Sequence, residues 1–253
     1  MREQELVSWI VSCFLLGLRI VPVFAFAPPF SLTRMPRLFL VFLGLGLSVC
    51  LVAANPHATR LSDISVYGIV IAAVREAALG TMFVLAFQIV FGALYLAGRT
   101  VDMQAGLGFA LLIDPTTRGQ MPFVGTLFAY AAGATFFSFN GHVELFRLMG
   151  ASLEAVPIGS WTMPSSIARI AGFTSMVFLE AMGVAAASIL ALFLVDLVIA
   201  FLCRTVPQMN VLVLGFQVKT IVLLLVLPFS FGMAGALFLR LMTITLETLP
   251  RMI

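Results

Sequence analysis

Long and nearly uninterrupted apolar runs limit the fold of this chain more than any other feature of its sequence. The runs cover approximately 6–27, 38–54, 66–97, 120–139, 170–203 and 210–239. About 20 apolar residues in a helix span the hydrocarbon core of a bilayer. Hydrophobic residues make up 62% of the chain and charged residues 10%, whereas soluble domains average roughly 45–50% and 25%. The sequence therefore predicts an all-α integral membrane or membrane-derived protein with about six long apolar segments.

The breaks between the runs carry residues that end helices. They include Pro28-Pro29, Asn55-Pro56, Asn140-Gly141 and Pro207. The third and fifth runs are about 30 residues long, more than a bilayer requires, and the third contains Arg75-Glu76 near its start. If all six runs crossed, six basic residues would lie on one side and seven on the other, although polytopic proteins usually show a cytoplasmic excess. We expect part of these helices to lie outside lipid or against protein.

The basic and cysteine residues exclude several classes of protein. The 14 Lys and Arg residues are scattered singly, whereas nucleic-acid binding needs a basic patch. Cys13, Cys50 and Cys203 lie in separate apolar runs, without the spacing of a disulfide framework or a zinc site, so we expect small core residues.

Ala25-Phe26-Ala27 has the shape of a signal-peptide cleavage site, but Arg19 interrupts the apolar run before it. A cleaved signal peptide is therefore not expected.

The chain carries no recognisable enzyme signature. His57 and His142 stand without a neighbouring acidic or cysteine cluster. The sequence contains no zinc-protease, serine-hydrolase or phosphate-loop motif. His142 follows Asn140-Gly141, which predicts a turn at a helix end. We therefore expect neither an enzyme nor a metal site.

Charged residues in the last two runs point to one ion pair. A lone charge at the middle of a bilayer costs about 2.5–3.5 kcal/mol. Glu180 and Asp196 lie about 160° apart around one helix, so they do not form a pair. If Pro207-Gln208-Met209-Asn210 is a tight turn between antiparallel helices, Asp196 and Lys219 lie at the same height. Either they form a buried pair, or each faces water or a different subunit.

The stretch GRTVDMQAGLGFALLIDPTTRGQMPFVG, residues 98–125, is the most unusual part of the chain. It collects five Gly, two Asp, two Arg and two Gln between long apolar runs. Glycine and proline interrupt helices, and irregular backbone at membrane depth is tolerated only where it is buried in protein or lines a cavity. The stretch therefore predicts a loop that enters a protein assembly.

Several motifs, in order along most of the chain, resemble the FliR family of flagellar biosynthetic proteins and its injectisome counterpart, SctT. The first is Gly98-Arg99-Thr100-Val101-Asp102-Met103-Gln104 with the glycines, Asp114-Pro115 and Gln120 that follow it. The others are Arg19 with Pro22, Pro36-Arg37, Asn140-Gly141-His142, Pro157-Ile158-Gly159, and Pro207-Gln208-Met209-Asn210 with Gly215 and Lys219. The chain is thus identified as a candidate member of a family of type III secretion export gate proteins.

The resemblance implies an assembly, since in this family one copy joins five copies of FliP and four of FliQ in a gate for unfolded export substrates. It implies a FliP-like part at residues 1–170 and a FliQ-like helical hairpin at residues 171–253. It also implies an FlhB-type partner and a position in the bacterial inner membrane, within the basal body. The assembly sits unusually high relative to the bilayer, which would account for the overlong helices.

The resemblance also bears on the loop. Its apolar tip, Phe109, Leu111, Leu112 and Ile113, is expected to plug the pore, because apolar constrictions close channels by excluding water. Gly106 and Gly108 are the expected hinge. The polar residues Arg99, Asp102, Gln104 and Asp114 are expected to form a network with backbone and neighbouring subunits.

Three other interpretations remain open. The loop could pack against helices for stability alone. The chain could be a small-solute secondary transporter, which also uses broken helices, although residues 98–125 have no counterpart near Pro207. It could also be a structural scaffold of a membrane complex without a gating role.

Overall fold

The structure, a computed structural model, describes residues 3–33, 35–59, 65–107, 122–161, 167–205 and 211–252. Within these ranges the regular structure is helical, without a strand. The helices are α1 (Glu3–Phe26), α2 (Pro28–Leu32), α3 (Arg37–Ala54), α4 (Val66–Gln104), α5 (Phe123–Ser138), α6 (Gly141–Ala155), α7 (Ile167–Thr205) and α8 (Val211–Met252). Five of these, α1, α3, α4, α7 and α8, are long and apolar enough to cross a membrane, and α5 is a shorter apolar helix. The predicted all-α membrane fold is confirmed.

The breaks between helices follow the local sequence. Pro28 lies at the start of α2, and Pro36 precedes the first residue of α3; proline suits both places because it lacks a backbone N–H and has a fixed φ. Asn140 separates α5 from α6 with a left-handed backbone, φ 55°, which asparagine tolerates better than most residues. The predicted break at Asn140-Gly141 is thus present.

Helix α6 was not among the predicted apolar segments. It carries Glu144, Arg147 and Glu154 on its exposed side and buries Leu145, Met149 and Leu153. Those three residues recur every fourth position, the spacing of one helix face. A search for long apolar runs misses such a helix, whereas the helical period would have found it.

The described chain divides into two compact units that interleave along the sequence. The first comprises Met1–Ile89, Phe136–Phe173 and Met242–Ile253, and the second comprises Val90–Thr135 and Thr174–Leu241. Residues 1–170 and 171–253, the predicted FliP-like and FliQ-like parts, describe a different division, which stays a prediction.

An ion pair without solvent exposure lies in the first unit. The Nε of Arg19 on α1 donates to Oε2 of Glu76 on α4 over 2.6 Å, and Nη2 of Arg19 donates to Oε1 over 3.0 Å. Both side chains are fully buried. Two further N–H groups of Arg19 donate to Oγ of Ser152 (3.3 Å) and to the carbonyl of Val156 (3.0 Å). A buried guanidinium requires such a set of acceptors, because a buried charge without partners is costly.

The segment after α6 is fastened to α4 by two adjacent residues. The backbone N–H of Gly159 donates to Oε1 of Glu76 (2.9 Å), and Nη1 of Arg75 donates to the carbonyl of Gly159 (2.7 Å). Gly159 has φ 76°, and a Cβ there would lie 3.0 Å from the Cβ of Ala72. Arg75-Glu76 therefore lies against protein, one of the two placements expected for charges in an overlong helix.

Helices α7 and α8 meet along the second unit as antiparallel neighbours. Three polar pairs join them at successive levels: Glu180 with Arg240 (3.2 Å), Ser188 with Ser230 (2.8 Å) and Asp196 with Lys219 (2.5 Å). The partner's residue number falls as the number on α7 rises, which is the order that antiparallel helices produce. Glu180 and Asp196 have separate partners on α8, so the two carboxylates do not form a pair, as expected.

The first prediction concerns the buried pair. Replacing Glu76→Leu alone strands the guanidinium of Arg19, and Arg19→Met alone strands the carboxylate; each should lower the free energy of unfolding by about 3–5 kcal/mol. The double variant Arg19→Met/Glu76→Leu should lose less than either single variant, because no buried charge remains. Thermal unfolding of the detergent-solubilised protein measures the three losses.

The exposed pair of α6 provides the control. Nη1 of Arg147 lies 2.8 Å from Oε1 of Glu144 with both side chains exposed, so Arg147→Ala should cost at most about 1 kcal/mol. Additive losses in the Arg19/Glu76 double variant would show that the two charges do not depend on each other.

Candidate functional site

The site comprises the end of α4 and the start of α5, which are the two ends of the glycine-rich stretch. We call residues 98–107 and 122–125 the loop base. Residues 108–121 lie outside the described residues. They include the predicted plug, Phe109, Leu111, Leu112 and Ile113, and two other predicted site residues, Gly108 and Asp114. The loop base, by contrast, is described, and it brings both ends of the stretch together.

Two glycines let the backbones of α4 and α5 touch. A Cβ placed on Gly98 would lie 2.4 Å from both the Cα and the N of Gly125, and one on Gly125 would lie 2.8 Å from the carbonyl oxygen of Tyr95. Distances below 3.0 Å to backbone atoms leave no room for a side chain. Small residues permit such close helix contacts in membrane proteins. The glycines at the two ends of the stretch are therefore packing residues.

Asp102 joins the same two helices by a polar contact. Its Oδ1 and Oδ2 each accept a hydrogen bond from the backbone N–H of Val124 over 3.1 Å, and the residue is buried. Val124 lies in the first turn of α5, whose N–H groups have no partner within the helix. A carboxylate also suits the positive end of the helix dipole. Asp102 thus caps α5 from α4, across the whole length of the loop.

Gly106, two residues after the end of α4, has a left-handed conformation. Its φ is 82°, and its N–H donates to the carbonyl of Met103 over 3.1 Å. Glycine adopts this backbone without the steric cost that a Cβ imposes, and helices commonly end this way. The positive φ agrees with the conformational freedom expected of Gly106, while its hinge role stays a prediction.

Gln104 and Lys219 connect the loop base to α7 and α8. The Nζ of Lys219 lies 2.5 Å from Oδ1 of Asp196 and donates to the backbone carbonyl of Gln104 over 3.2 Å. The side-chain amide of Gln104 donates to the carbonyl of Ile189 over 3.2 Å. The side chains of Lys219 and Asp196 are 21% and 40% exposed, so this chain does not fully bury the pair that was predicted as buried.

The remaining predicted residues are distributed as follows. Arg99 is exposed on α4. The predicted turn of Pro207, Gln208, Met209 and Asn210 lies outside the described residues.

The prediction that all three cysteines are core residues was wrong. Only Cys13 is buried; Cys50 is exposed and Cys203 is half-buried. Both belong to long apolar helices, α3 and α7, and only 28% and 11% of the most apolar part of each helix is buried within the chain. Among the described residues, no group of three or more His, Cys, Asp and Glu side chains is arranged to hold a metal ion.

Asp102 binds backbone, the kind of partner expected for the polar residues of the stretch. The contact of Lys219 with the carbonyl of Gln104, in addition to Asp196, was not predicted. Glycines within apolar helices at both ends of the stretch were the available signal for the contact between Gly98 and Gly125. Their pairing depends on the crossing of α4 and α5, which the sequence does not specify.

The second prediction tests the glycine contact. Gly98→Ala should lower the free energy of unfolding by about 3 kcal/mol, the upper end of the overpacking range, because the new Cβ meets only backbone atoms. Gly92→Ala is the matched control on the same helix, since a Cβ there meets nothing within 4 Å. It should leave stability unchanged or raise it by up to about 1 kcal/mol. Thermal unfolding in detergent compares the two, and equal effects would contradict the close contact.

Comparison with known proteins places the chain among export proteins. Residues 10–244 match the family described as bacterial export proteins, family 1. The flagellar biosynthetic protein FliR of Escherichia coli (strain K12) is 27% identical over 217 residues, which are 85% of this chain and 82% of the relative. FliR of Bacillus subtilis (strain 168) is 29% identical over 188 residues, 72% of this chain and 71% of the relative. The Yop proteins translocation protein T of Yersinia pestis is 30% identical over 156 residues, 60% of each chain.

The family match covers most of the chain, and the apolar helices are those of a membrane protein. The expected FliR resemblance is confirmed, as is the expectation that the chain is not an enzyme. This chain therefore belongs to the bacterial export proteins, family 1, and is a membrane component of the type III secretion or flagellar export apparatus.

Proposed function

We propose that this chain is a single-copy subunit of the type III secretion export gate, in which residues 98–125 form part of the protein-conducting channel and its plug. The observation that carries the proposal is the loop base. Asp102 caps α5 over 3.1 Å, and Gly98 lies against Gly125, so the two ends of the loop are held at one place. A tip that closes a channel needs a fixed base, because a displaced tip would leave a gap.

The chemistry of the stretch supports the same role. Its middle, Phe109 to Ile113, is apolar, whereas Arg99, Asp102 and Gln104 at its start are polar. An apolar constriction closes a pore by excluding water. Gly106, with φ 82° next to this tip, gives the backbone a conformation that other residues adopt only at a cost. Gly108 would add freedom on the other side of Leu107.

The proposed partners are FliP-type and FliQ-type subunits, an FlhB-type subunit and unfolded export substrates. Exposed apolar side chains along α7 support an assembly of helices, among them Leu179, Leu190 and Phe201. The proposed location is the bacterial inner membrane, within the basal body. Flagellar rather than injectisome membership is proposed because the FliR relative of Escherichia coli aligns with 85% of this chain, and the Yop translocation protein with 60%.

The third prediction concerns stoichiometry. Native mass spectrometry of the complex purified through this subunit should show one copy of this chain with two kinds of small helical partner. A chain that exposes large apolar side chains on α3, α7 and α8 has surfaces that partners would cover. A stable monomer, or a homo-oligomer without other subunits, would contradict the proposal.

The fourth prediction concerns the plug. Replacing Phe109, Leu111, Leu112 and Ile113 by Ser or Gly should leave the yield of intact complex unchanged and should make membranes leaky to small ions. Conductance or small-solute permeability, recorded beside yield, measures this. A scaffold or a loop that only packs predicts the opposite, because removing packed apolar residues destabilises a protein by about 2–5 kcal/mol per large side chain. Normal yield without a leak would contradict the plug, and a loss of yield would assign the stretch to packing or subunit contacts.

The glycine hinge gives the complementary test of the plug. Gly106→Val places a β-branched residue at φ 82°, which costs of order 1–3 kcal/mol. Secretion should fall without an ion leak, because the loop keeps its tip but loses alternative conformations. Gly92→Val on α4 is the control, since that position is open and helical.

A further inference from the structure

Lys219 occupies an unusual position among the charged residues of the second unit. Its ammonium group lies between two acceptors on different helices, Oδ1 of Asp196 on α7 and the backbone carbonyl of Gln104 at the end of α4. The last carbonyls of a helix have no partner within it, and a cation there also suits the negative end of the helix dipole. Lys219 thus caps the C-terminus of α4, much as Asp102 caps the N-terminus of α5.

A second contact holds the same residue of the loop base. The side-chain amide of Gln104 donates to the carbonyl of Ile189 on α7 over 3.2 Å. Gln104 is therefore tied to α7 by its side chain and to α8 by its backbone. Two residues further along, the chain turns through Gly106. The start of the loop is attached to α7 and α8 at its last helical residue.

We propose that Lys219 is a positioning residue for the loop base, because it links the carboxylate of Asp196 to the last carbonyl of α4. Among the described residues, no hydrogen bond joins Asp196 directly to Gln104. Asp196 acts by holding the ammonium group of Lys219 next to the carbonyl of Gln104. A shift of α7 against α8 at this level moves the ammonium and releases Gln104. The functional consequence, a loop base that loosens with the helix pair, rests on the proposed plug.

The acceptors of Lys219 allow the ion pair and the positioning role to be separated. Exchanging the charges, Asp196→Lys with Lys219→Asp, retains an ion pair between α7 and α8. A carboxylate at position 219 accepts hydrogen bonds but cannot donate one to the carbonyl of Gln104. Lys219→Met keeps the apolar stem and removes both contacts, whereas Lys219→Arg keeps the charge and the donors.

The experiment measures access to the loop base directly. Leu107→Cys, in a chain whose native cysteines are replaced by Ala, is labelled with N-ethylmaleimide in membranes that contain the complete complex. Lys219→Met should raise the labelling rate about tenfold, the population change expected from losing one hydrogen bond to a charged group. The charge exchange should keep the rate high while restoring the yield of complex, and Lys219→Arg should label at the original rate.

The serine pair of the same two helices is the control. Oγ of Ser188 and Oγ of Ser230 lie 2.8 Å apart and are buried, and no hydrogen bond among the described residues joins either serine to the loop base. The double replacement by Ala should leave the labelling rate unchanged. An unchanged rate in Lys219→Met at normal yield would overturn the proposal. A return to the original labelling rate in the charge-exchanged variant would also overturn the proposal. This variant provides the test if Lys219→Met does not accumulate.

The outcome is distinguishable from failure of the plug. Faster labelling in Lys219→Met without an ion leak supports the positioning role and contradicts a sealing function of the loop. A leak in the tip variants together with unchanged labelling in Lys219→Met supports the plug and overturns the positioning role.

Discussion

Charged and backbone polar groups among apolar helices must find their partners within the protein, and this constraint governs both units of the chain. Where such helices lie at membrane depth, water is not available to these groups, and an unpaired group costs several kcal/mol. In the first unit, Arg19 and Glu76 meet this constraint by bonding to each other. Arg19 also donates to Oγ of Ser152, and Glu76 accepts the backbone N–H of Gly159. Two helices distant in sequence and the segment after α6 are thereby held by one network.

The loop base meets the same constraint at helix ends. Each helix end leaves N–H or C=O groups without partners within the helix, and here the caps come from other helices. Asp102 on α4 accepts the backbone N–H of Val124 in the first turn of α5, and Lys219 on α8 donates to the last carbonyl of α4. Each cap is a charged side chain, and each carries the charge that suits the helix dipole. The interruption of α4 is therefore compatible with a rigid structure.

The surfaces left outside these networks are consistent with the family to which the chain belongs. Only 11% of the most apolar part of α7 and 22% of that of α8 are buried within the chain. Large side chains such as Leu179 and Phe229 are exposed. Lipid or other subunits of the export apparatus would cover such faces. Asp196, at 40% exposure on α7, is a polar exception on a helix that otherwise exposes mostly apolar residues.

The sequence by itself determined the helical membrane fold and the helix breaks seen among the described residues, because run length, proline and glycine act locally. It also predicted the level of Asp196 and Lys219, since a short turn between two regular helices sets their heights. Only the tertiary structure decided that Arg19 meets Glu76, that Gly98 meets Gly125, and that Lys219 reaches Gln104. These contacts depend on how distant helices cross, and many crossings bury apolar surface equally well; the one adopted is the one that also satisfies the charges and the helix ends.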